Sequence, residues 1–173
     1  MKVNLRGLLF LFFIFIFLTN VYGENKSDLS TAYDFTLPYL NQNGSITLSE
    51  EIAKEKFTIL IFFNSKCDIC MITFAKLKEF PIELTKMGIP AQIIGINNDE
   101  ENLGRLRSFV KQEKITFPVL SDKLNTVSSA YKCADYSFSS FILNKDGKIL
   151  DVHYDKRDDM QDYLIQKLMK FEE

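Results

Sequence analysis

The segment Phe57–Phe63, read FTILIFF, constrains the fold more than any other part of the chain. Each of its positions is apolar or β-branched, so neither face suits water. A strand of this kind is buried on both sides, and a sheet buried on both sides needs helices or other cover above and below it. The chain must therefore supply amphipathic elements before and after this segment.

The downstream sequence has that pattern. Residues 68–86 set Ile69, Ile72, Leu77, Phe80 and Leu84 at helical spacing, with Lys76, Lys78, Glu79 and Lys86 turned to water. Pro81 should bend or divide this helix, and Gly88 ends it. Residues 91–96 (AQIIGI) form a second buried strand, and residues 100–112 a helix with Leu103, Leu106, Phe109 and Val110 inward. A short extended piece at 115–120 and a short helix at 124–132 follow. Residues 138–143 and 148–154 flank Asn144, Lys145, Asp146 and Gly147, a strong turn signal, and so read as an antiparallel hairpin. A helix over 157–171, with Met160, Tyr163, Leu164 and Leu168 inward, closes the chain. On the last strand His153, the only histidine, alternates onto the side read as solvated.

Upstream, Asn41 to Gly44 separates two short alternating segments, which predicts another hairpin. Ser49 then reads as the cap of a short helix with Glu50 and Glu51 in its first turn. The order of elements describes an α/β domain over residues 31–173: a mixed central β-sheet flanked by helices, with an N-terminal β-hairpin.

The first residues differ from this domain. Lys2 and Arg6 precede an apolar run over residues 8–18, the pattern of a secretory signal peptide, and Val21-Tyr22-Gly23 offers a cleavage point after residue 23. The run is shorter than the roughly 20 residues of a bilayer-spanning helix, so cleavage is the first reading and an anchor retained through residues 8–18 the second. Either places the domain outside the cytoplasm; a buried N-terminal helix, the third reading, would not. About 150 residues remain beyond residue 23, enough for one core. A formal charge of -2 gives no basic surface for nucleic acid.

The chain has three cysteines, too few for a disulfide-stapled fold. Cys67 and Cys70 are spaced Cys-Asp-Ile-Cys where the buried strand gives way to the helix. A sulfur at a helix start lies over unpaired N–H groups and the positive end of the helix dipole, which favour thiolate over thiol. Cys67 is therefore the expected nucleophile. Cys70, one turn later on the same side, can close a disulfide with it or resolve a mixed disulfide. A structural disulfide across so short a loop would stabilise little. Zinc would need further ligands, and Cys133 with His153 completes no compact zinc pattern, so neither metal nor cofactor is expected. Cys133 reads as a buried small filler, with a third redox thiol as the alternative.

Taken together, the Asp34-Phe35-Thr36-Leu37 opening, the strand entering Cys67-Asp68-Ile69-Cys70, Ile93-Ile94-Gly95-Ile96-Asn97, Phe117-Pro118-Val119-Leu120-Ser121-Asp122 and Ser140-Phe141-Ile142-Leu143-Asn144-Lys145-Asp146-Gly147 resemble the thioredoxin-like superfamily. Within it the chain is similar to the extracytoplasmic thiol-disulfide oxidoreductases of the ResA and TlpA type, which border on the AhpC/TSA group. The resemblance implies a thioredoxin-like fold and a periplasmic or cell-envelope reductase, associated with the membrane peripherally or through its N-terminus. Its partners would be cysteine-containing extracytoplasmic proteins, including those awaiting haem in cytochrome c maturation, and a membrane dithiol would re-reduce it. Glu100 matches the acidic residue that such proteins place near the pair to relay a proton to the resolving thiol. It also stands just beyond a predicted central strand, where open α/β sheets gather functional groups. A solvated helix-cap carboxylate is the alternative for Glu100.

The chain departs from this group in three places. It has no Trp before Cys67, and Thr73-Phe74-Ala75 replaces the usual Glu-Phe-Pro. The group also carries a cis-proline in a substrate-binding turn opposite the pair. Counting back from the strand puts that position at Phe138, and counting forward from Tyr131 puts it at Ser137; neither is proline. A cis bond without proline costs about 2.5–4 kcal/mol, so a trans peptide is expected there. These departures leave three other readings open: a peroxiredoxin-like peroxide reductase, a thioredoxin-like binding protein without turnover, and a copper-handling protein.

Overall fold

A computed structural model describes residues 29–99 and 103–172. The leader read over residues 1–23 and the side chain of Glu100 lie outside the described residues.

The chain opens with the hairpin of β1 (Thr36–Pro38) and β2 (Ser45–Thr47), with Gly44 at φ 102° in its loop. The five-stranded sheet follows, in the order β5-β4-β3-β6-β7. At its centre β3 (Phe57–Phe63) runs parallel to β4 (Ala91–Asn97) and antiparallel to β6 (Phe138–Asn144). The short β5 (Val119–Ser121) extends the sheet parallel to β4, and β7 (Ile149–Tyr154) closes the other edge antiparallel to β6. The segment read only as extended at 115–120 thus contributes a true edge strand. Leu40 N–H donates to the Val119 carbonyl at 2.8 Å, and an isolated Tyr39–Leu120 bridge lies alongside, so the hairpin covers this edge.

Strand β3 is buried at every position, as its composition requires. Its side chains alternate between two cores. Ile59, Ile61 and Phe63 join Phe74, Phe80, Leu84, Leu106 and Leu164 on one face of the sheet. Leu60 and Phe62 meet Phe35, Ile46, Leu48, Ile94, Tyr131 and Phe141 on the other. The first core is roofed by helices α2 (Asp68–Lys76), α3 (Phe80–Met87), α4 (Leu103–Gln112) and α6 (Met160–Glu172). The second is covered by the hairpin and by the short helices α1 (Leu48–Glu51) and α5 (Thr126–Ala130). Pro81 divides the helix after the cysteine pair: α2 ends, a 3-10 turn spans Leu77–Glu79, and Pro81 sits in the first turn of α3, where a missing N–H costs nothing. Gly88, at φ 71°, closes α3 in the left-handed conformation.

Four local expectations need correction. Helix α1 begins at Leu48, and Thr47 is its cap position, with no side-chain bond. Ser49 lies inside the helix, where its N–H donates to Asp34 Oδ1 at 2.9 Å; that carboxylate also accepts the Phe35 N–H at 3.0 Å. Helix α5 is shorter than expected and leaves Leu124 79% exposed. Ile69 and Ile72 of α2 face solvent, at 52% and 57% exposure, while Cys70, Met71, Thr73 and Phe74 fill the inner face.

His153 is the fourth. It is half-buried, not solvated, with its ring 5.0 Å from that of Tyr163 and its Nε2 buried without a hydrogen-bond partner. Burial lowers its pKa below the usual 6.5, and the charge of Arg157 adds to this; Asp151, Asp155 and Asp159 pull the other way. The unfolded chain therefore binds this proton first. The stability contributed by the neutral ring is complete above about pH 6.5 and is lost as pH falls through the depressed folded value. Thermal unfolding of a His153→Gln variant between pH 7 and pH 4 should show a shallower loss of stability than the parent. Parallel curves for the two proteins would show that His153 contributes nothing to the pH dependence.

Candidate functional site

The buried strand β3 ends at Phe63, and residues 64–66 carry the chain to Cys67, the N-cap of α2. Cys67 has extended backbone angles, φ -91° and ψ 98°, and its carbonyl accepts the Met71 N–H at 3.0 Å to start the helix. Its Sγ accepts the Cys70 N–H at 3.2 Å. A sulfur on an otherwise unpaired helix N–H, at the positive end of the dipole, is stabilised as the anion. Cys67 and Cys70 form a disulfide with their Cα atoms 5.2 Å apart. Cys67 is partly exposed and Cys70 is 1% exposed, so one sulfur is open to a partner and the other is held inside. Asp68, in the first turn, pairs with Arg105 at 3.0 Å on an exposed surface, where such a pair contributes little to stability.

The link before Cys67 is held by hydrogen bonds from several directions. Asn64 N–H donates to the Ser137 carbonyl at 2.9 Å, Asn64 Oδ1 accepts the Lys66 N–H at 2.8 Å, and the Asn64 carbonyl accepts the Cys67 N–H at 3.2 Å. The Phe63 carbonyl accepts both the Asn98 N–H and Asn97 Nδ2, each at 3.2 Å. Asp99, 4% exposed, accepts the Ser65 N–H at 3.1 Å and also the Ser65 hydroxyl through the same Oδ2.

The candidate residues from the sequence fall unevenly around this site. Cys67 and Cys70 are joined, and Ser137 is brought by its carbonyl to the link leading into Cys67. Phe138 is fully buried in the core beside the pair, so the backbone is what it presents, its carbonyl accepting the Asp155 N–H at 2.8 Å. All peptide bonds among the described residues are trans, as expected for a turn lacking proline. Cys133 is a free, fully buried thiol in the core on the opposite face of the sheet from Cys70. Burial pushes its pKa far above the usual thiol range, and Asp122 adds to this, so it remains an inert filler. Asp99 was not legible as a site residue. Its only signal is its place in a run of six polar residues, 97–102, that follows a buried strand, which also describes an ordinary turn.

Residues 30–152 match the AhpC/TSA family. Among curated proteins, a thiol-disulfide oxidoreductase ResA of Bacillus cereus is 29% identical over 98 residues, covering 57% of this chain and 54% of that protein. The sporulation thiol-disulfide oxidoreductase A of Bacillus subtilis is 27% identical over 96 residues, covering 56% and 58%. The chain thus spans about half the length of the curated relatives it matches. Among solved structures, a secreted Mycobacterium tuberculosis disulfide oxidoreductase homologous to E. coli DsbE aligns with a TM-score of 0.65 and 18% identity, covering 79% of this chain and 95% of that one. The M. tuberculosis peroxidoxin BcpB aligns at 0.68 and 19%, covering 82% and 97%. At these identities the two structures speak for the fold alone. With the family match spanning most of the sheet and both cysteines, the chain belongs to the AhpC/TSA family and carries its thioredoxin-like fold.

Proposed function

We propose that the protein is an extracytoplasmic thiol-disulfide oxidoreductase that reduces disulfides in target proteins. The observation that carries this reading is the asymmetry of the pair: Cys67 partly exposed at a helix N-terminus, and Cys70 buried one turn behind it. In the reduced protein the Cys67 thiolate attacks one sulfur of a target disulfide. That bond breaks, a mixed disulfide forms, and the other target sulfur leaves as a thiolate and takes up a proton. Cys70 then loses its proton and attacks Cys67 Sγ, which restores the Cys67–Cys70 disulfide and releases the target with two electrons gained. A dithiol carrier in the membrane would return the pair to the reduced form.

Glu100 is proposed as the group that receives the Cys70 proton, and the backbone at Ser137 and Phe138 as the place where an extended target lies. The leader over residues 1–23, or an anchor through residues 8–18, would deliver the domain to the periplasm or cell envelope; no helix among the described residues is long and apolar enough to cross a membrane. Cysteines awaiting haem in cytochrome c maturation are proposed targets.

Peroxide reduction is the second reading, favoured by the family match. Against it, Asn64 stands three residues before Cys67, where that chemistry would use a threonine hydroxyl. Equilibration in glutathione buffers tests the direction of electron flow. A midpoint below about -180 mV fits a reductase, and one near about -120 mV would make the protein an oxidant and overturn the reading.

A further inference from the structure

Residues 64–66 determine where Cys67 Sγ sits relative to the first N–H groups of α2, and this link contains no large side chain to wedge it in place. The chain has no tryptophan, and Lys66 is exposed. What fixes the link is a bracket of three consecutive buried residues at the end of β4: Asn97, Asn98 and Asp99, exposed by 0%, 3% and 4%. Asn97 and Asn98 grip the Phe63 carbonyl, the last of β3. Asp99 grips Ser65 through both of that residue's donors. A carboxylate accepting two bonds in a buried setting holds its partner more firmly than a neutral acceptor would. Ser65 and Cys67 are two residues apart, so their Cα atoms lie within about 7 Å along the chain, and a shift at Ser65 reaches the sulfur almost undiminished.

We propose that Asp99 is a positioning residue for Cys67, acting through Ser65 to keep the sulfur seated on the N-terminus of α2. This rests on the reading of Cys67 as the attacking thiol, but the arrangement has its own consequence. The thiolate is favoured only while Sγ stays on the Cys70 N–H and in line with the helix dipole. If the bracket loosens, the sulfur returns toward an ordinary thiol. Among the described residues, the charges next to Cys67 in its link and helix are Lys66, which has partners of its own, and Asp68, which is tied to Arg105 of α4; Glu100, proposed above to take the Cys70 proton, follows Asp99 in the chain.

The test is the pH dependence of Cys67 alkylation by iodoacetamide in the reduced full-length protein, followed by peptide mapping, for Ser65→Ala, Ser65→Thr, Asp99→Asn and the Ser65→Ala/Asp99→Asn double variant. Thermal unfolding is recorded alongside. Ser65→Ala removes one of the two bonds, and Asp99→Asn weakens both. Each should raise the midpoint by about 0.5–1 pH unit, with the larger shift in Asp99→Asn. The double variant should shift the midpoint by less than the sum of the two single shifts, because both substitutions act on the same pair of bonds. Ser65→Thr, which keeps both donors, should restore the parent value.

Unchanged midpoints in folded variants would overturn the proposal, as would lowered melting temperatures with no change in midpoint. A lower midpoint in Asp99→Asn with no effect of Ser65→Ala would also overturn it, since Asp99 would then be a repelling charge and not a positioning group. Midpoints that shift as expected in a protein that reduces no disulfide would leave the positioning role intact and remove the oxidoreductase reading.

Discussion

Replacing Cys67 by Ser should bring disulfide reduction down to the uncatalysed background, whereas replacing Cys70 by Ala should let the first step proceed and stop the second. The difference follows from geometry. Cys67 alone offers sulfur at the surface and on a helix N–H, so its loss leaves no nucleophile; Cys70, 1% exposed, cannot substitute for it. Without Cys70, the mixed disulfide on Cys67 has no resolving thiol and accumulates. Cys133 cannot rescue it, being buried on the other side of the sheet. Non-reducing electrophoresis of the Cys70→Ala protein, expressed as the full chain, should show Cys67-dependent adducts with target proteins that disappear on adding dithiothreitol. If no adduct forms under conditions where the parent turns over substrate, the attack-and-resolve scheme is wrong.

Gly95→Ala should be among the most destabilising single substitutions in the sheet, at about 1–3 kcal/mol. A Cβ at this position would lie 2.6 Å from Phe74 Cζ and 2.8 Å from Cε2. Phe74 has no room to retreat: it is fully buried, stacked on Phe63 at 3.9 Å and edge-on to Phe117 at 5.4 Å. Gly95 therefore sets how closely the helix carrying Cys70 lies on the sheet, a common reason for glycine inside a strand. Trimming the obstructing ring should relieve the clash, so denaturant unfolding of Gly95→Ala/Phe74→Leu should show a loss smaller than the sum of the two single losses. Additive losses would mean that the two residues do not meet in this way.

These features differ in how well local sequence reveals them. Strand β3, apolar apart from the β-branched Thr58, announces a sheet covered on both faces because its composition suits neither face to water. Pro81 and Gly88 mark the division and the end of the helical segment because each alters the backbone directly. The phase of α2 was less legible. Ile69 and Ile72 fit an inner stripe as well as Met71 and Phe74 do, and the sheet decides in favour of the set that includes Cys70. The burial of His153 depends on Tyr163 and Arg157, which arrive from the last helix and the turn before it. Asp99 depends on a partner 34 positions away. An acidic residue after a strand looks alike whether it caps a helix in water or grips a buried loop, and only the fold separates the two.

Every step of the proposed exchange depends on Cys67 being the reactive thiol of the pair. That is tested most directly by treating the reduced protein near pH 7 with less than one equivalent of iodoacetamide and mapping the label by mass spectrometry. The predicted result is label on Cys67, acquired faster than by free cysteine, with Cys70 and Cys133 protected by burial. Label on Cys70 before or alongside Cys67, or a Cys67 no more reactive than free cysteine, would contradict it.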